Sequence, residues 1–120
     1  MKSNIVKEKS FTFAVRIVKV ARYLQENKHE FVLSKQVLRS GTAVGALVRE
    51  SEHAESKADF IHKLAIALKE ANETQYWIDL LHETELLNNK SYETLYPDIT
   101  ELIKLLTSII KTTKTNLSNG

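Results

Sequence analysis

Cysteine is absent from the sequence, so neither a disulfide nor a thiolate site is available, and a reducing, cytoplasmic setting suits the chain. Proline occurs once, at Pro97, and glycine three times, the last at the terminal Gly120. So little turn-forming material argues against β-hairpins and for an all-helical fold. No apolar run approaches the roughly 18 residues that a membrane span requires. The opening MKSNIVKEKSFTF lacks the apolar stretch of a signal peptide. What is present is a chain of 120 residues, 42% hydrophobic and 27% charged, a balance that favours one folded domain with one core over disorder.

The net charge is only +2, but it is unevenly spread. Residues 1–40 hold nine basic against three acidic side chains, and residues 41–89 hold four against nine. A basic beginning and an acidic middle bear on partners more than the total does.

Apolar periodicity near 100° per residue predicts four helices, at about residues 4–26, 34–54, 57–88 and 92–115. The first carries Phe13, Ile17, Val20 and Leu24 on one line, with Lys9, Arg16, Lys19 and Arg22 on the opposite arc. Ser34 is the expected N-cap of the second. Ser56 followed by Asp59 resembles a capping box opening the third. Pro97 is expected in the first turn of the fourth, where a missing N–H costs nothing. The closing TTKTNLSNG is expected to fray. Four helices with short connections predict an antiparallel up-and-down bundle.

The third helix has more apolar circumference than a bundle needs. Phe60, Leu64, Ala67, Ala71, Ile78 and Leu81 form the expected core stripe. Ile66, Trp77 and Leu80 lie roughly 100° around from it, on a line with Glu70 and Glu73. These five residues are therefore the expected surface for another subunit; the alternative is a tilted helix with Trp77 at the rim of a broad core.

Three motifs invite a chemical reading. Gly41 and Gly45, four apart in SGTAVGALVRE, follow no strand and lack the Lys-Ser/Thr ending of a phosphate loop. Inside a helix each costs roughly 1 kcal/mol against alanine, so a close helix approach is the expected compensation. All four histidines follow an acidic residue by three, at Glu26–His29, Glu50–His53, Asp59–His62 and Asp79–His82. That spacing evokes the di-iron carboxylate pattern. His62 and His82, however, stand about 30 Å apart on one helix, and exposed i,i+3 pairing is the simpler account. Glu70 and Glu73 are expected to pair with basic residues, such as Arg39 or Arg49, rather than to act as an acid–base dyad. No cofactor, metal or catalytic residue is expected. The basic arc of helix 1, with Tyr23 among its cations, is the expected nucleic-acid contact, with Lys104, Lys111 and Lys114 as auxiliaries.

The stretches LSKQVLRSGTAVGALVRE and KADFIHKLAIALKEANETQYWIDLL resemble the bacterial four-helix-bundle proteins of 23S ribosomal RNA intervening sequences. Ala46-Leu47 departs conservatively from the Ala-Asn pairing often found there. The resemblance implies a bundle assembled as a homopentameric ring. It also implies kinship with the accessory protein of diversity-generating retroelements, a basic pentamer that binds nucleic acid and partners a reverse transcriptase. Three functions are thus in contention: an oligomer binding RNA or DNA, a structural or protein-interaction module without nucleic acid, and a di-metal oxidase.

Overall fold

A computed structural model describes residues 2–119; Gly120 lies outside them. The chain forms α1 (Lys2–Lys28), α2 (Leu33–Ser51), α3 (Lys57–Glu83) and α4 (Asn89–Asn119), with no strand among the described residues. Each helix packs against its neighbour in the chain, and α1 closes the bundle against α4. The result is a rod of 52 × 22 × 19 Å.

The core is what the periodicity selects. Phe13, Ile17 and Leu24 of α1 meet Val37, Val44 and Val48 of α2, Leu64, Ile78 and Leu81 of α3, and Leu95, Ile99 and Leu102 of α4. One polar contact interrupts it. The Thr74 hydroxyl, which donates to the Glu70 carbonyl at 2.7 Å, meets the Ser40 hydroxyl at 2.9 Å, both residues fully buried, which satisfies them and fixes the α2–α3 register.

The two glycines set the α1–α2 distance. A Cβ on Gly41 would stand 2.9 Å from Ile17 Cγ2, and one on Gly45 would stand 3.3 Å from the Ser10 carbonyl oxygen. Close helix approach is thus their structural role, as expected, and it offsets their poor helix propensity.

Helix ends differ from expectation where capping uses unusual residues. Ser34 is not the N-cap of α2 but a buried first-turn residue. The Glu30 carboxylate caps instead, accepting from the backbone N–H groups of Val32, Leu33 and Ser34 at 2.8–3.2 Å. Burial alone would raise the Glu30 carboxyl, but the hydrogen bonds from Leu33, Ser34 and Val32 together outweigh it and hold it below the ordinary 4.5. At its other end α2 stops at Ser51, short of 54. Ser56 does cap α3, accepting from the Asp59 N–H at 3.0 Å.

α3 ends at Glu83 rather than near 88. Glu85 adopts φ 65°, and the Leu86 N–H reaches back to the Leu81 carbonyl at 2.9 Å while the Glu85 N–H reaches that of His82 at 3.0 Å. This is a Schellman closure with glutamate where glycine usually stands. Asn88 then opens α4 by accepting from the Ser91 N–H at 2.8 Å, so the helix starts at Asn89 and Pro97 falls in its third turn, not its first. Pro97 is exposed, which leaves water access to the carbonyl its ring cannot serve. The expected fraying at the C-terminus is replaced by helix through Asn119.

Candidate interaction surfaces

Helix α1 has a second apolar line that its core pattern conceals. Phe11, Val15 and Val18 recur at i, i+4 and i+7, within about 60° of one another, and all three are exposed. Phe11 leaves 56% of its surface open although the Arg49 guanidinium lies 5.6 Å from its ring centroid. Beside it, Ala14, Gly45 and Ala46 floor a groove of about 580 Å³ along the α1–α2 seam. Lys7 and His53 stand at its rim, the former ion-paired to Glu52 at 3.1 Å.

The four cations assigned to one basic arc divide into two pairs. Lys9 binds Glu101 at 3.0 Å, and Arg16 binds Asp98 and Thr94, so these two serve as clamps between α1 and α4. Lys19 and Arg22 are exposed and meet no carboxylate among the described residues. Tyr23 is exposed beside them. The arc is therefore narrower than its sequence suggests, because spacing along α1 cannot reveal which carboxylates α4 presents.

On α3, Ile66, Trp77 and Leu80 are half-buried rather than open. Trp77 packs against the core edge and donates from Nε1 to Glu73 Oε2 at 3.0 Å. Glu70 and Glu73 both receive Arg39 of the same chain, the former at 3.1 Å. Beside this line Tyr76 is exposed, its ring edge-on to Trp77 at 5.0 Å. The strip thus runs along the α2–α3 seam, with its charges already answered from α2.

None of the four acidic–histidine pairs forms the expected contact among the described residues. His82 stacks on Tyr92 at 3.9 Å between ring centroids and contacts Asn89 through Nε2 at 2.7 Å. The Tyr92 hydroxyl donates to Asp79 at 2.8 Å, so a tyrosine from α4 stands between the predicted partners. That hydrogen bond, then burial, pushes the Tyr92 hydroxyl up to about 12. Glu50 turns to Lys63 and Asp59 to the Glu55 N–H, leaving His53 and His62 without them. No three metal-ligating side chains converge among the described residues. No helix there is long and apolar enough to cross a membrane.

The family described as 23S rRNA-intervening sequence protein matches residues 2–108. The chain belongs to that family. A solved structure of a protein with unknown function, from the S23 ribosomal protein family of Bacteroides thetaiotaomicron, is 58% identical. It covers 92% of this chain and 99% of its own, with a TM-score of 0.90. No curated protein matches. As a 23S rRNA-intervening sequence protein the chain has a defined bundle, while its activity must be argued from its surfaces.

Proposed function

We propose that the chain is a non-enzymatic assembly module whose copies join head to tail. The observation that carries this reading is the line Phe11–Val15–Val18, three large apolar side chains exposed on one face of α1. A contiguous apolar surface of this kind is costly to leave in water and marks a protein contact. Its partner in the next copy is the α3 strip of Ile66, Trp77 and Leu80, with exposed Tyr76 beside it.

The α1–α2 and α2–α3 seams are adjacent sides of the bundle, meeting at about 90°. A contact between unlike surfaces closes into a ring when the rotation permits, and sides at about that angle close after about four copies, or five where the angle opens to about 108°. A pentamer therefore fits the account. Complementation tests it. A variant altered on α1 (Val15→Asp) and one altered on α3 (Leu80→Lys) should each stay single, yet mix to give a two-chain species through the one intact pair of faces. Mixing that yields no complex contradicts a head-to-tail contact.

A second reading has its own observation. Among the described residues, Lys19 and Arg22 alone of the α1 arc lack carboxylate partners, and Tyr23 lies beside them. In an oligomer these repeat around the assembly, and multivalency raises avidity for RNA or DNA. Removing both charges should lower the salt dependence of binding by about 1–2 in log–log slope. Unchanged binding by that variant would remove Lys19 and Arg22 from the contact, and a wild type that binds no nucleic acid at low salt would leave a module that recruits proteins.

A further inference from the structure

α4 is the longest helix, and its second half carries charge of one sign only. After Glu101 the sequence holds Lys104, Lys111 and Lys114 and no acidic residue. All three lysines are exposed, and none meets a carboxylate among the described residues, in contrast to Lys9 and Arg16 on α1. Lys111 and Lys114 border a groove of about 350 Å³ between α4 and α3, floored by Leu68 and Ile110 and walled by Thr107 and Thr115. No carboxylate lines it. By helical spacing, Lys57 extends the α3 line of Ile61, Leu64 and Leu68 toward the end of α4.

We infer that this half of α4 is a tract for a phosphodiester backbone, binding by charge alone. The inference rests on the nucleic-acid reading above and extends it from α1 to the far end of the bundle. Lys104 to Lys114 spans about 15 Å of helix axis, a length over which a duplex presents about nine phosphates. Three ammonium groups therefore find partners whatever the register.

The Thr107 and Thr115 hydroxyls donate to the Ile103 and Lys111 carbonyls, so they have no proton left for a phosphate oxygen. No aromatic ring lines the groove, so no base stacks there. Recognition without hydroxyl donors or stacking is sequence-independent and strongly salt-dependent. A bilayer fits less well. Among the described residues of this half, Leu102, Leu106, Ile109 and Ile110 are buried, and Ile103 and Leu105 are half-buried against the core, so no large apolar side chain stands open as a lipid anchor.

Two variants of equal charge test the inference. Lys104→Gln/Lys111→Gln/Lys114→Gln and Lys28→Gln/Lys35→Gln/Lys90→Gln each remove three exposed lysines and take the net charge from +2 to −1. Binding of short labelled RNA and DNA, single-stranded and duplex, is titrated over about 50–200 mM salt. The α4 variant should bind at least tenfold more weakly at low salt and lose about 2–3 from the log–log slope; the control should change by less than about threefold. The three single substitutions, each expected to lower the slope by about 0.7–0.9, give the same readout should the triple variant fold poorly. RNA and DNA bound alike, or one preferred, both support the tract and identify its source. Equal losses in the two variants, or none in the α4 variant, overturn the inference alone. A wild-type protein that binds no nucleic acid at low salt overturns the underlying reading as well, and capture by phosphatidylserine vesicles instead would assign the lysines to lipid.

Discussion

Phe11 and Phe13 stand two residues apart on α1 and occupy opposite worlds: Phe13 is 2% exposed in the core, whereas Phe11 is 56% exposed over the α1–α2 groove. The inner face of the helix, with Phe13 and Ile17, is closed by glycines on α2 that allow near-contact of backbones. The outer face also carries apolar side chains, Phe11, Val15 and Val18, but these stay exposed, with the Arg49 guanidinium beside the Phe11 ring. One helix thus separates two tasks that its composition mixes. Substitutions inside should unfold the bundle, and substitutions outside should leave it folded and alone.

The largest effect should come from breaking the inner face. Phe13→Ala is expected to cost about 3–5 kcal/mol in chemical denaturation, whereas Phe11→Ala should stay within about 0.5 kcal/mol. Equal losses at the two positions would erase the distinction between faces. Next comes Gly41→Ala. It gains roughly 1 kcal/mol of helix propensity but presses on Ile17, at an overpacking cost of about 1–3 kcal/mol. A net loss of up to about 2 kcal/mol should follow, and adding Ile17→Val should recover part of it. Strict additivity of the pair would mean that this contact does not set the spacing.

Glu30→Gln tests the connection that aims α2 along the inner face. Loss of a charged cap should cost about 1 kcal/mol near neutral pH. The Glu30 carboxyl is held below 4.5, so its stabilisation is complete above that value and disappears as pH falls through the lowered one. The difference between wild type and Glu30→Gln should therefore shrink in acid. The smallest effect belongs to the edge between the faces. Arg16→Ala removes a half-exposed pair with Asp98 and should cost at most about 1 kcal/mol, less at high salt.

Much of this was legible in the residues. The strong periodicity of α2 and α4, the apolar line of α1 and the Ser56 cap placed helices and core, and the glycine pair announced a close approach. The histidine pairing failed because i,i+3 spacing says nothing of Tyr92, which arrives from another helix. Glu30 and Glu85 escaped notice because a glutamate two to four residues before its targets, and a left-handed glutamate, lack the usual signatures of a cap. Core and surface stripes of α1 both recur with helical period, so spacing alone did not single out Phe11, Val15 and Val18 until the bundle was closed around Phe13. The same limit split the basic arc, since Asp98 and Glu101 are distant in sequence and adjacent in space.

The account rests on the uncovered face of α1 being a contact between copies. Sedimentation equilibrium of the wild type beside Phe11→Asp/Val15→Asp tests this most directly. The prediction is a wild-type mass of several times 13.7 kDa and a double variant at 13.7 kDa with an unchanged helical signal, its melting temperature lower only by the stabilisation that assembly confers. A wild type that already sediments at 13.7 kDa, or a double variant that assembles as well as its parent, would contradict it.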